Sequence, residues 1–307
     1  MERQTIKFEL SEEQKKQRFL QIEALRKDAR IRNFLKQHNL PLSILDEYSS
    51  KFIAWLERLS KCQGCQGLRY CIQPLTGRVQ TLDVDDQGFL MDIYRACKYE
   101  REEEKRMMHR RNYKIFDGSY NDLLINEENI KLEKESHEYI EAFVAMTSSY
   151  ETDRGVYLYG QPGTGKTYLC RMAANHYAKD GMTVSFVNLP QCVQDLKQNM
   201  TDSKYRLTMI SRMKFCDVLF LDDIGSESIS AWTRDEILFP ILEYRMNNRL
   251  KTYFSSNYTL PELKKQYAKV REESAEVAAL RIIERIQALA VLCPLLGRSR
   301  RFNENVG

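Results

Sequence analysis

The chain has 307 residues, 43% of them hydrophobic and 29% charged, with a formal net charge of +4. That composition supplies enough apolar material for one large or two smaller cores and excludes a globally disordered chain. No apolar run reaches the ~18 residues of a membrane span; the best candidate, 289–296, is short and contains Pro294, so no membrane is expected among the partners.

In chain order, Ser11-Glu12-Glu13-Gln14 has the form of a capping box, in which Ser11 caps a helix and Gln14 reaches back to it. Phe19, Ile22, Leu25, Ile31, Phe34 and Leu35 continue the helical spacing to a stop before Pro41. A second helix begins near Ser43, with Leu45, Tyr48, Phe52, Leu56 and Leu59 on one face. Two such helices pack on each other, and any surplus apolar face is available to a partner. Residues 1–115 carry 23 basic and 17 acidic side chains, whereas the remainder carries 24 and 26. With a dense charge run at 99–114, this divides the chain into a small, mainly helical domain at 1–100, a charged linker at 101–125 and a larger domain at 126–307.

Beyond the linker, strand-like and helical stretches alternate. Strands are expected at 155–159, 183–187, 217–221, 252–256 and 289–293, and helices at 167–179, from Pro190, at 203–214, 232–250 and 274–288. The alternation predicts an α/β domain with a parallel sheet and helices on both faces.

Gly160-Gln161-Pro162-Gly163-Thr164-Gly165-Lys166-Thr167 fits the pattern G-x-x-x-x-G-K-[ST] and stands between a strand and a helix, the context of a phosphate-binding loop. Its glycines let backbone N–H groups turn inward onto phosphate oxygens, and the following helix adds the positive end of its dipole. Lys166 would reach the β- and γ-phosphates of ATP, and the Thr167 hydroxyl would ligate Mg2+. Val218-Leu219-Phe220-Leu221-Asp222-Asp223 supplies the second half of such a site, with Asp222 for the Mg2+ shell and Asp223 to polarise the attacking water. Asn257 ends the next strand and is placed to orient that water or touch the γ-phosphate, although an Asn that starts a loop is also common. Arg281 and Arg285 lie four apart on one helix face. Arginine suits a γ-phosphate because its planar fork stays charged, and nothing else near Asp223 in sequence supplies that charge. Offered by a neighbouring subunit, one of the pair would act as an arginine finger; the alternative is an ordinary surface pair with Glu284 and Glu276.

From about residue 116 to 302 the chain resembles the AAA+ ATPases of the helicase-loader type, the group of DnaI-, DnaC- and IstB-like proteins. The residues that carry the resemblance are those of the loop at 160–167, Leu221-Asp222-Asp223-Ile224-Gly225, Ser256-Asn257, and Arg281 with Arg285. It implies an AAA+ P-loop domain with Asn257 as its first sensor, Arg285 as the favoured finger and Arg281 close behind. Two departures from the wider AAA+ pattern stand out. Asp223 occupies a place where most members carry Glu, and too few residues follow the arginine helix to build a full helical lid. The lid is therefore expected to be reduced or missing. Arg298, Arg300 or Arg301 would replace its arginine, and the loader pattern favours Arg298. Both departures point to a slow, switch-like ATPase.

The charged start from Glu2 has no apolar stretch of a secretory signal, so the expected compartment is the cytoplasm. Eight cysteines there need a reason other than disulfides. Four of them cluster as Cys62-x-x-Cys65, Cys71 and Cys97. Four thiolates suit tetrahedral Zn2+, and Gly64 and Gly67 free the turn to aim N–H groups at sulfur. A redox pair or buried free thiols are the alternatives. The resemblance adds that the N-terminal domain of such loaders holds a structural zinc and grips the helicase. Lys204, Arg206, Arg212 and Lys214 around Tyr205, and Lys264, Lys265, Lys269 and Arg271 around Tyr267, suit single-stranded DNA or, equally, the solvent faces of amphipathic helices.

The resemblance thus implies an ATP-dependent loader. It would bind the replicative hexameric helicase through its N-terminal domain and place it on single-stranded DNA during initiation or restart of replication. Other primosome or initiation proteins are expected partners, with self-association in the ATP-bound state. Two readings compete: an IstB-like transposition helper, and a zinc adaptor with a non-catalytic nucleotide fold. The cysteine cluster with its paired helices separates the loader from the first, and the complete loop and acid motifs speak against the second.

Overall fold

In the computed structural model, which describes residues 11–270, 273–297 and 299–300, the capping box at Ser11 forms. Gln14 N–H donates to Ser11 Oγ at 3.3 Å and Ser11 N–H donates to Gln14 Oε1 at 2.9 Å, starting α1 (Glu12–Lys27). The single long helix expected here is two. Asp28 leaves helical geometry and its carboxylate accepts from Arg30 N–H, capping α2 (Ala29–Gln37). A short acidic side chain competes for backbone N–H groups in this way. With α3 (Ile44–Ser60), these helices bring Ile22, Leu25, Phe34, Phe52 and Trp55 into one core.

This first domain, mainly helical as expected, also contains a hairpin that was not. β1 (Arg78–Val84) and β2 (Leu90–Ala96) form an antiparallel hairpin. Leu82 and Leu90 join the helical core, and Trp55 Nε1 donates to Thr81 Oγ1 at 2.8 Å. α4 (Lys98–Arg106) follows, and the chain divides within it into two units, Met1–Lys105 and Arg106–Gly307.

The linker expected at 101–125 is replaced by structure. β3 (Tyr113–Phe116) comes straight out of the charge run and belongs to a sheet of the second unit. That unit continues with α5 (His137–Ser148), β4 (Gly155–Tyr159), α6 (Lys166–Lys179), β5 (Val184–Asn188), α7 (Leu189–Gln198), α8 (Ser203–Phe215) and β6 (Val218–Asp222). A π-helical segment, Trp232–Leu238, leads into α9 (Phe239–Asn247), β7 (Lys251–Ser256), α10 (Leu260–Tyr267), α11 (Ala275–Leu289) and β8 (Ala290–Pro294). The strand order is β3-β5-β6-β7-β4-β8, and each neighbouring pair is parallel.

Successive residues of a strand point to opposite faces, and both faces here are covered. Val218 and Phe220 pack with Leu169 and Met172 of α6, while Leu219 and Leu221 pack with Ile237 and Ile241 on the other side. Hence β4 and β6 read as nearly unbroken apolar runs. Fully buried Arg245 donates to the carbonyls of Met213, Cys216 and Lys251 and to Thr252 Oγ1. It thereby ties the end of α8 to the start of β7. A buried polar group left unsatisfied costs about 1–3 kcal/mol. Arg245→Met is therefore expected to destabilise the second unit by about 3 kcal/mol or more; a urea midpoint unchanged from that of the unaltered protein would contradict this role. No helix among the described residues is long and apolar enough to cross a membrane.

Candidate functional site

The loop at 160–167 leaves the C-terminal end of β4 and enters α6. Gly165 caps α6 with φ +103°, a conformation that glycine adopts without a Cβ penalty. At Gly160 a Cβ would lie 2.1 Å from the carbonyl oxygen of Leu295, so only glycine lets the loop start so close to the segment after β8. Thr164 is buried and its hydroxyl donates to Gln161 O at 3.0 Å, bracing the turn.

Lys166 is buried. Its ammonium donates to the carbonyls of Gly160 at 2.8 Å and Gln161 at 2.9 Å and to Asn257 Oδ1 at 2.9 Å. The Thr167 hydroxyl donates to Asp222, 3.0 and 3.1 Å from the two carboxylate oxygens. Asp222 also accepts from the Ser255 hydroxyl. Burial pushes the Asp222 carboxyl above its usual range, and the Ser255 and Thr167 hydroxyls hold it back. Asp223 sits at φ +60°, and its N–H donates to Ser255 Oγ at 3.0 Å. A cleft of about 450 Å³ is lined by Pro162, Gly163, Lys166 and Thr167 of the loop and by Asp222, Asp223 and Asn257. Lys166 and Asn257, 91 positions apart in sequence, therefore meet in this cleft.

Three lining residues were not expected: Tyr168, Arg171 and Asn188. Arg171, distant from Asp223 in sequence, is a second cation of this chain that the fold brings to the cleft beside Lys166. It stands one helical turn beyond Thr167, the only sequence signal available for it. Its charge is balanced by Asp122, 2.6 Å from Nη1. A second cavity of about 540 Å³ shares Gly163, Gly165 and Tyr168 with the first and extends to Glu135, Tyr139 and Arg300. Arg300 N–H donates to Gly163 O at 2.8 Å, its guanidinium pairs with Glu135, and it lies 4.1 Å from the ring centre of Tyr139. Of the three tail arginines considered, Arg300 is thus beside the loop, while Arg298 and Arg301 fall outside the described residues.

Arg281 and Arg285 are not among the described residues lining the cleft. Arg285 is bound to Glu243 at 2.7 Å and to Glu284 at 3.3 Å. Arg281 is exposed, its guanidinium 3.9 Å from the ring centre of Phe239. The proposed DNA-stacking tyrosines are also placed otherwise. Tyr267 is fully buried and donates to Glu227, and Tyr205 packs against the core. Lys264 pairs with Glu276 at 3.0 Å. Arg271 lies outside the described residues.

In the first unit the four clustered cysteines are half-buried and unpaired by disulfides. Gln73 Nε2 donates to Cys62 Sγ at 3.3 Å, Gly77 N–H to Cys71 Sγ at 3.4 Å and Glu100 N–H to Cys97 Sγ at 3.5 Å. Cys65 Sγ donates to Gly67 O at 3.7 Å. Among the described residues no group of three or more His, Cys, Asp or Glu side chains is gathered to hold a metal ion. The expected four-thiolate centre is therefore not gathered among the described residues.

Residues 126–302, more than half of the chain, match the family of IstB-like ATP-binding proteins. Over 91% of its length the chain is 29% identical to the replicative helicase loader DnaI of Bacillus subtilis, 91% of which is covered. It is 30% identical to the phage-like element PBSX protein XkdC of the same organism, over 42% of this chain and 50% of that one. A crystal structure of DnaI is similar with a TM-score of 0.52 and 31% identity, over 60% of this chain and 97% of that one. The second unit is an α/β domain of the AAA+ P-loop type.

Proposed function

Because the chain belongs to the family of IstB-like ATP-binding proteins, we propose that it is an ATP-dependent loader that delivers a hexameric replicative helicase to single-stranded DNA. One observation carries the reading. The similarity to a replicative helicase loader spans 91% of the chain and so includes the cysteine-bearing first unit as well as the ATP-binding domain. The match to the IstB-like family, by contrast, is confined to residues 126–302. A non-catalytic nucleotide fold is disfavoured by the intact set of Lys166, Thr167, Asp222 and Asn257 in one cleft.

Phosphoryl transfer to water is catalysed mostly by positioning and charge. The buried Lys166 ammonium exchanges its Asn257 contact for the β- and γ-phosphates. Mg2+ supplies charge neutralisation when bound, and Thr167 and Asp222 are the groups that would hold it. Asp223 polarises the attacking water, and Asn257, freed from Lys166, orients it. ATP seated across both cavities would have its phosphates in the first and its base beside Tyr168, Tyr139 and Arg300. The first unit grips the helicase, self-association in the ATP-bound state brings in an arginine of the neighbouring subunit, and other primosome or initiation proteins direct the complex. The direct test is size-exclusion chromatography of the full chain with the replicative helicase of the same organism. Co-elution is expected, and separate elution at micromolar concentrations of both would end the loader reading.

The cysteines enter this reading as a structural zinc site whose sulfurs must be drawn together. Support comes from the C-x-x-C spacing and from the Gly77 and Glu100 N–H groups directed at the Cys71 and Cys97 sulfurs. The purified chain is expected to hold about one zinc ion, bound by Cys62, Cys65, Cys71 and Cys97. Cys65→Ser should lose it and unfold the first unit while ATP binding persists. Zinc-free protein with an intact first unit, by elemental analysis and near-UV circular dichroism, would remove zinc from the account.

A further inference from the structure

The outer face of α8 takes no part in the nucleotide cleft. A slot of about 580 Å³ lies along it, bounded by Lys114 of edge strand β3. Leu207 and Phe215 line the slot and are 62% and 57% exposed. Lys114, Lys204 and Arg212 also line it, and no acidic side chain does so among the described residues. This local charge runs against the slightly acidic balance of the chain beyond residue 115. Apolar side chains left exposed and ringed by one sign of charge mark a partner surface, and the sign selects the partner.

The apolar element decides between two kinds of acidic partner. Nucleic acid would use a free aromatic face for stacking. Here Tyr205 is turned to the core, and the Phe215 ring is in a T-shaped contact with Tyr244 at 5.0 Å and has the Lys214 ammonium over it, 5.9 Å from its centre. What remains is aliphatic Leu207 and the exposed part of Phe215, which an apolar stripe of a helix covers well. We propose that the slot docks an acidic amphipathic helix of a partner protein. Its apolar residues would cover Leu207 and Phe215, and its carboxylates would meet Lys114, Lys204 and Arg212.

The test uses the full chain and a fluorescein-labelled peptide of about 16 residues, with Leu and Phe at i, i+3, i+4 and i+7 and Asp or Glu on the other positions. Fluorescence anisotropy is expected to show saturable binding. Affinity should fall about tenfold or more with a scrambled peptide of the same composition, with Leu207→Glu, and with the double variant Lys204→Glu, Arg212→Glu. Fluorescent ATP should bind all variants like the unaltered protein, which shows that they are folded. Equal affinity for the scrambled peptide, or unchanged affinity in the variants, would overturn the proposal. So would an oligo-dT strand whose binding the same variants abolish, which would make the slot a DNA site. Loss of self-association in those variants would assign the slot to a second copy of this chain and overturn it as well.

Discussion

Lys166→Ala is expected to abolish binding of Mg-ATP at concentrations that saturate the unaltered protein. The ammonium is buried and already makes three hydrogen bonds at 2.8–2.9 Å, so no rotamer search is needed before it meets phosphate. A hydrogen bond to a charged group is worth about 1.5–3 kcal/mol, and losing two to the phosphates weakens binding by at least ~100-fold. The substitution also leaves the Gly160 and Gln161 carbonyls without their donor, which loosens the loop itself. Asp222→Asn should behave differently, retaining part of the binding and losing Mg2+-dependent turnover, because Asp222 meets Thr167 and not the loop carbonyls. Titration with fluorescent ATP separates the two variants. Unaltered affinity in Lys166→Ala would remove the site assignment.

The second large effect concerns the arginines of α11. An inserted arginine contributes ~10³-fold or more to hydrolysis on a phosphate loop. The Arg171 charge within the cleft is taken up by Asp122 at 2.6 Å, so it does not replace such a group. Arg285 is held by Glu243, which keeps its fork in a defined place, and Arg281 is exposed over Phe239. Arg285→Ala is expected to bind ATP normally and to lose ATPase activity by about 10³-fold in the assembled state, with Arg281→Ala losing less. Mixed with Lys166→Ala, which keeps its arginines but has an empty cleft, Arg285→Ala should regain activity. A mixture that shows only the sum of the two variants, with co-assembly demonstrated, would mean that the arginine does not act across subunits.

The parallel sheet was legible because its central strands are buried on both faces. Val218 to Leu221, with the loop ahead of α6 and the acids behind β6, could hardly read otherwise. β3 was not legible, since its four residues follow a run of charges and become a strand only by pairing with β5. The β1–β2 hairpin was hidden by its polar positions, although Asp85 and Gly88 form the turn, with Gly88 N–H donating to Asp85 O at 3.0 Å. Asp28 broke a helix whose apolar spacing continues across it. Within the site, the contiguous motif residues were readable, whereas Arg171, Asn188 and Tyr168 come to the cleft through helix geometry and strand order. Tyr267 misled for the same reason. Lys265 and Lys269 are exposed, while its own ring is a core residue bonded to Glu227.

The most direct measurement of the central claim is ATP-dependent delivery of the helicase to closed circular single-stranded DNA, read as unwinding of an annealed strand. The full chain with ATP is expected to raise unwinding well above the helicase alone, and Lys166→Ala is expected not to, while still co-eluting with the helicase. Equal stimulation by the unaltered chain and Lys166→Ala, or no stimulation by a chain that binds both helicase and ATP, would contradict it.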